Sequence, residues 1–158
     1  MPRLNLVFLR SDPRKLGPEE IFYERIKTLL AIGNAGQVRQ DCIIDTGCLL
    51  SVFPQRLWER IQDDIGWLYQ PGDKVDLPNW LSKVTDLGAR PIDCRIGKVR
   101  IQIIELPSGS QSPPIEIIGK FPFDNGAYPG ILLGLGGKAF STWNLAMRYA
   151  EKEAWLEY

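Results

Sequence analysis

The chain has 158 residues, 44% apolar and 24% charged, a balance that is typical of a folded globular domain and excludes a disordered chain. Its 19 basic and 19 acidic residues cancel, which disfavours a nucleic-acid-binding protein. The sequence contains no histidine, and this excludes Ser-His-Asp triads, Cys-His dyads and histidine-ligated catalytic metals within one chain. We expect a single domain over residues 1–158.

The cysteines and the apolar runs indicate the compartment. Cys42, Cys48 and Cys94 are odd in number and widely spaced, which fits neither a disulfide framework nor a zinc site. They are predicted to be free thiols in a reducing environment. The apolar run nearest the N-terminus, LVF, is too short for a signal peptide or a membrane span. We therefore expect a cytoplasmic protein with no membrane partner.

The first third of the chain is predicted to form strands. Residues 4–9 (LNLVFL) alternate as a short strand, and the polar, Pro- and Gly-containing residues 10–20 are predicted to be a loop. Residues 22–32 fit a helix or a strand, and the hairpin-type turn GNAG that follows favours a strand in their second half. Residues 37–44 are then the return strand, which ends immediately before Asp45.

The periodicity changes after Pro54. Leu57, Trp58, Ile61 and Ile65 fall on one face at helical spacing, so residues 54–65 are predicted to form an amphipathic helix. Residues 66–80 are rich in loop-forming residues.

The second half is again β-like. Residues 83–96 have turn chemistry between apolar flanks, which predicts a hairpin, and residues 98–106 alternate as a strand. Further strands are predicted at residues 115–121 and 154–158, and a short helix at residues 138–142. Together, these predicted strands and helices indicate a mostly-β domain with one longer helix. The domain would be a small barrel or a folded-over sheet.

The sequence Asp45-Thr46-Gly47 places a carboxylate between two apolar segments. An ionised carboxylate in such a position needs a partner or a shifted pKa. Gly47 allows a tight backbone path, although Asp and Gly also occur together in ordinary strand-end turns. A second apolar-Gly element, ILLGLGG, lies at residues 131–137. It can be a helix-entry loop, and it completes no Walker phosphate-binding pattern.

Together, IIDTGCLLSVFP (residues 43–54) and ILLGLGG resemble the motifs of the retropepsin-like family of aspartic proteases. The resemblance extends from Gln37 to the C-terminus, and residues 1–36, which match less specifically, are expected to form an N-terminal extension. It implies an acid-protease β-barrel, closed, with one or two short helices. It also implies that Asp45 is the catalytic aspartate and that ILLG packs behind it.

The resemblance further implies a homodimer, because this chain carries one Asp-Thr-Gly loop where pepsin-like chains carry two. The related residues 123–128 (FDNGAY) have Asn125 where Thr would be needed. Two Asp45 carboxylates at a two-fold axis would share one proton. One would take a proton from water while the other hydrogen-bonds the scissile carbonyl of a peptide or protein substrate. Neither a cofactor nor a metal is implied.

Other roles follow from the same resemblance. Thr46 is implied to hydrogen-bond across the dimer axis, and Gly47 to let the backbone approach the two carboxylates. The terminal strand at residues 154–158 resembles the family's dimer-interface strand. The hairpin at residues 84–92 resembles the family's substrate-covering flap, and the implied substrate-binding residues there are Val84, Asp86, Leu87, Gly88 and Ala89.

The chain departs from the family pattern at two places. Family flaps are richer in glycine than this hairpin, and Cys48 stands where Ala or Ser is usual. Packing is the simpler interpretation of Cys48, and a redox role is the alternative.

Two alternative functions stay open. One is a non-catalytic dimeric module for peptide binding or assembly, and the other is a monomeric β-domain in which Asp45 is a turn residue. An Asp45→Asn variant with unchanged function would support the first of these, and sedimentation that shows only monomers at all concentrations, also with substrate, would support the second.

Overall fold

The computed structural model describes residues 1–85, 88, 90–125 and 130–158. Strands dominate this part of the chain, as predicted. Their bounds are β1 Arg3–Arg10, β2 Arg14–Leu16, β3 Glu19–Ile21, β4 Glu24–Ile32, β5 Val38–Asp45, β6 Ser51–Val52, β7 Gly66–Tyr69, β8 Lys83–Thr85, β9 Pro91–Ile104, β10 Ile115–Pro122, β11 Ile131–Gly134, β12 Asn144–Arg148 and β13 Glu153–Glu157.

The helices are short. The described residues contain helices α1 (Gln55–Trp58) and α2 (Asn79–Ser82), and 3₁₀ turns at Glu59–Asp64 and Lys138–Phe140. The amphipathic helix predicted over residues 54–65 is therefore one α-helical turn followed by a 3₁₀ turn. Ile61 departs from helical geometry, with φ −127° and ψ 15°, while its side chain is buried in the core. Within the described ranges, no helix has the length and apolar character to cross a membrane.

Six strands form a closed barrel. The hydrogen-bonded order β4-β5-β11-β6-β10-β9 returns to β4, because β4 also pairs with β9 through Leu29 opposite Ile104. Val99, Ile101 and Ile103 of β9 are each at most 1% exposed, whereas the intervening Arg100 is exposed. This period-2 pattern buries one face of β9 in the core, as the sequence alternation predicts. The predicted mostly-β, closed-barrel fold with short helices is confirmed.

Two segments predicted as loops contain strands. Residues 10–20 include β2 and the first two residues of β3, which form an exposed two-stranded hairpin whose turn uses Gly17 at φ 62°. Residues 66–69 form β7, which pairs with the edge of β9. β2 and β3 are short and mostly polar, and β7 has only four residues, so each carries a weak strand pattern and pairing with a neighbour decides its conformation.

The chain ends are joined in one sheet. β13 lies between β12 and β1, so both of its edges are hydrogen-bonded within the chain. β1 in turn pairs with β4, so residues 1–36, which were expected to form an N-terminal extension, contribute the barrel strand β4 itself. The predicted C-terminal strand exists, but β12 folds back onto the edge that a dimer-interface strand would offer to a second copy.

A buried carboxylate connects β1, β4 and the turn after β12. The Glu24 side chain is 6% exposed and accepts from Arg10 at 2.6 Å and from Lys152 at 2.5 Å. Burial acts to raise the pKa of Glu24, but hydrogen bonds from Lys152, Tyr149 and Arg10 outweigh it and lower the pKa to about 2. The ionised form of Glu24 therefore stabilises the fold.

We expect the stability contributed by Glu24 to depend on pH. Because its pKa falls from the ordinary 4.5 to about 2 on folding, this stability is fully present above pH 4.5 and is lost as pH falls toward 2. Glu24→Gln should lower the free energy of unfolding at pH 7, and the gap to wild type should close between these pH values. Urea unfolding of both proteins at several pH values measures this difference in the free energy of unfolding.

The control is Glu116→Gln, which removes a carboxylate from an exposed ion pair with Lys98 at 3.5 Å. Its effect should be small at every pH, because exposed ion pairs contribute little. A Glu24→Gln deficit that stays constant down to pH 2 would contradict the proposed linkage.

Candidate active site

Asp45 is the last residue of β5 and begins the loop over residues 45–50, here called the Asp45 loop. The Gly47 N–H donates to Asp45 Oδ1 at 2.9 Å, and the Cys48 N–H donates to the Asp45 carbonyl oxygen at 3.2 Å. Asp45 is partly buried, whereas Thr46 and Gly47 are exposed. The loop therefore holds the carboxylate in a defined orientation while its tip faces solvent.

β11 packs behind the Asp45 loop. Gly134 lies opposite Asp45 in the parallel pairing of β11 with β5. A Cβ atom at Gly134 would lie 2.4 Å from the Cys48 carbonyl oxygen, so only glycine fits there. The Gly134 N–H donates to the buried Ser51 Oγ at 3.1 Å. The two motifs singled out in the sequence are thus in direct contact.

The predicted flap has antiparallel flanks. Val84 of β8 pairs with Ile92 of β9, and Thr85 with Pro91. Val84 is buried, and Gly88 is exposed. The other three predicted substrate-binding residues lie outside the described residues: Asp86, Leu87 and Ala89.

A cavity of about 440 Å³ separates this hairpin from the Asp45 loop, and we call it the site cavity. Its lining combines apolar side chains with two lysines. The lining residues are Cys48, Val52, Asn79, Trp80, Lys83, Val84, Thr85, Pro91, Lys120 and Leu132. A larger depression of about 580 Å³ shares Pro91 with it but includes no residue of the Asp45 loop. The site cavity is therefore the better candidate for substrate binding.

Cys48 connects the Asp45 loop to the site cavity. Its S–H donates to the Leu50 carbonyl oxygen at 2.8 Å. Burial, and then the negative charge of Asp45, raise the pKa of the Cys48 thiol, while Lys120 acts in the opposite direction. A thiol with a raised pKa is a poor nucleophile at neutral pH, which favours the packing interpretation over a redox role.

Of the ten described residues that line the site cavity, only Val84 was among the predicted site residues. Val52 pairs with Lys120 on one side and with Leu132 on the other, so these side chains lie in one row across β10, β6 and β11. Val52 and Leu132 belong to the two motifs already singled out in the sequence. Lys120 has no such marker, because a lysine in an alternating strand has the pattern of a solvent-facing residue.

Comparisons with known proteins show a structural similarity. No family model matches the chain, and no curated protein matches it. Among solved structures, the chain is similar to the EIAV protease in complex with the inhibitor HBY-793. The identity is 18%, the match covers 70% of this chain and 81% of that chain, and the TM-score is 0.43. At this TM-score the two structures superpose only loosely, so a function for this chain has to be inferred from its own contacts.

Proposed function

We propose that this chain is an aspartic endopeptidase that acts as a homodimer, with one Asp45 from each copy. The observation that carries the proposal is the fixed Asp45 carboxylate at a strand end, held by the Gly47 N–H and backed by Gly134. Asp45 is close enough to Cys48 to raise the pKa of its thiol, and Cys48 lines the site cavity, which the β8–β9 hairpin borders. A carboxylate held beside a cavity can act as a general base.

Hydrolysis by this mechanism needs a second carboxylate. Two carboxylates close together share a proton, because both cannot ionise easily. The ionised Asp45 removes a proton from water as the oxygen attacks the scissile carbonyl carbon. The protonated Asp45 of the second copy donates a hydrogen bond to the carbonyl oxygen. Asp45, Thr46 and Gly47 form the catalytic loop in this proposal.

Exposure of the Asp45 loop supports pairing with a second copy. Thr46 and Gly47 face solvent, and the Leu49 side chain is 52% exposed. An isologous contact between two such loops would bury Leu49 and bring the two carboxylates together. Since both edges of β13 are occupied, the remaining sheet edge near the chain ends belongs to β12.

The substrate in this proposal is an extended peptide between the Asp45 loop and the β8–β9 hairpin. Val84 and Gly88 lie on the hairpin side of this space in the proposal. Val52 and Leu132 give the site cavity an apolar wall. This wall favours substrate residues beside the scissile bond whose side chains are hydrophobic or contain an aliphatic portion.

The test is cleavage of a diverse peptide library from acidic to neutral pH, with wild type and Asp45→Asn measured side by side. Cleavage by wild type alone supports the protease. Sedimentation with and without peptide measures whether the active species is a dimer. Absence of cleavage at chain concentrations that give a dimer would overturn the proposal.

A non-catalytic peptide-binding module is the second candidate. The occupied edges of β13 favour it, because a chain that completes its own terminal sheet does not need a second copy for that purpose. Peptide binding that is equal in wild type and Asp45→Asn, without cleavage by either, would support this function.

A further inference from the structure

The site cavity is lined by a cation, Lys120, for which the described residues provide no carboxylate partner. Lys120 extends from β10 to line this cavity, and its side chain is partly buried. Its ammonium group donates to the carbonyl oxygens of Trp80 and Lys83, the latter at 3.1 Å. Among the residues that the structure describes, no carboxylate lies within salt-bridge distance of Lys120.

The second lysine of the cavity provides a contrast. Lys83 forms a salt bridge with Asp93, and this hydrogen bond raises the pKa of Lys83. Burial lowers the pKa of Lys120 instead. The described lining of the site cavity includes no carboxylate, and the described hydrogen-bond partners of the Lys120 ammonium group are carbonyl oxygens. A partly buried charge without a counterion is unfavourable, and a ligand carboxylate would relieve this.

The geometry leaves room for such a ligand. An ammonium group has three N–H donors, and two of those on Lys120 are directed at carbonyl oxygens. The remaining donor is available to a bound molecule. Val52 and Leu132 lie beside Lys120 across the strands and provide an apolar surface for methylene groups. A glutamate side chain combines two methylene groups with a terminal carboxylate.

We propose, on the basis of the proposed function, that Lys120 determines substrate specificity by binding a glutamate side chain of the peptide in the site cavity. Aspartate is the weaker ligand, because its shorter stem covers less of the apolar wall.

A purely structural role for Lys120 makes a different prediction. Its two carbonyl contacts connect β10 to α2 and β8, so its loss could displace the cavity wall. Such a displacement would slow cleavage of all peptides by a similar factor. A specificity role changes the ratio between acidic and neutral peptides, and this ratio is therefore the quantity to measure.

The experiment uses peptide pairs that differ only by Glu or Gln, at each position around the cleaved bond. At one position we expect wild type to prefer Glu by about tenfold in kcat/KM. Lys120→Met should bring this ratio close to one, and Lys120→Arg should retain a preference. Lys120→Gln removes the charge but keeps donors for the carbonyls, so it replaces Lys120→Met if that variant does not fold. The control Lys15→Met removes a charge from the exposed β2 strand.

The preference should also depend on pH. The Glu-to-Gln ratio should rise between about pH 4 and pH 6, as the peptide carboxylate ionises. Among the described residues, the thiols of Cys48 and Cys94 interact electrostatically with Lys120, and Lys83, which pairs with Asp93, shares the cavity lining. Burial raises the pKa of both thiols, that of Cys94 to about 12, so neither thiol ionises in this range.

The outcomes separate the two proposals. If wild type cleaves peptides but shows no Glu preference at any position, the role of Lys120 is overturned and the protease stands. If wild type cleaves no peptide, the proposed protease function is overturned. The role of Lys120 is then tested by measuring peptide binding. Fluorescence anisotropy with Asp45→Asn protein should then show about tenfold tighter binding of the Glu peptide. Equal binding of the Glu and Gln peptides would overturn the proposed role of Lys120.

Discussion

Replacing Asp45 with Asn is expected to lower kcat/KM for peptide cleavage by about 10³-fold or more, because an amide cannot act as a general base. The fold should survive, since the asparagine carbonyl oxygen can still accept the Gly47 N–H that now bonds Asp45 Oδ1. Steady-state kinetics measures the loss of activity, and circular dichroism with thermal unfolding checks that the fold is retained.

The matched control is Asp41→Asn. Asp41 lies on the same strand, but it is exposed and pairs with Lys27 at 3.6 Å. This variant should retain activity and nearly all stability, because exposed ion pairs contribute little. Equal activity losses in Asp41→Asn and Asp45→Asn would indicate a general effect of lost negative charge and would contradict the assigned role.

Mixing wild-type and Asp45→Asn chains tests whether two chains share one active site. Excess Asp45→Asn chains should draw wild-type chains into mixed dimers with one aspartate, so wild-type activity should fall as the variant is added. An enzyme that needs only one copy of Asp45 would keep its activity in the same mixture. Asp41→Asn chains, which keep Asp45, should form active mixed dimers.

Gly134→Ala is the second replacement with a large expected effect. The new Cβ atom would lie 2.4 Å from the Cys48 carbonyl oxygen and 3.1 Å from the Leu50 carbonyl carbon. These are backbone atoms, so relief requires β11 and the Asp45 loop to separate. We expect the free energy of unfolding to fall by about 1–3 kcal/mol. Most of the cleavage activity should be lost as well. Urea unfolding and peptide kinetics measure the two effects.

Gly130→Ala is the matched control for this strand. Among the described residues, an added Cβ atom at Gly130 meets no heavy atom within 4 Å. Its stability and activity should therefore stay close to those of wild type. If Gly134→Ala were as stable and active as Gly130→Ala, the close contact between β11 and the Asp45 loop would be refuted.

The two motifs were predictable because each combines local chemistry with strong apolar flanks. Ile43 and Ile44 indicate a buried strand leading to Asp45, and the ILLG sequence of residues 131–134 indicates a second one. The alternation in β9 was equally clear. These patterns involve residues that are close together in the sequence. They can therefore be identified without knowing which strands pair.

The site cavity was less predictable because it depends on pairing between distant segments. Lys120 becomes part of it only because β10 pairs with β6, which places Lys120 beside Val52. Nothing in the alternating sequence of β10 distinguishes this lysine from one that faces solvent. The small strands β2 and β3 escaped prediction for a related reason, since polar residues indicate a strand weakly.

The antiparallel pairing of β1 with β13 has a consequence for the order of folding. Arg3 lies opposite Glu157, and Leu4 opposite Leu156, so this contact joins residues that are far apart in sequence. Such contacts form slowly, because a long loop must close first. The barrel strands lie between β4 and β11, so the barrel can assemble earlier. Until β13 is synthesised, the β1 edge that pairs with it is open, so β1, with the apolar side chains of Leu4 and Leu6 on one face, can pair with other nascent chains.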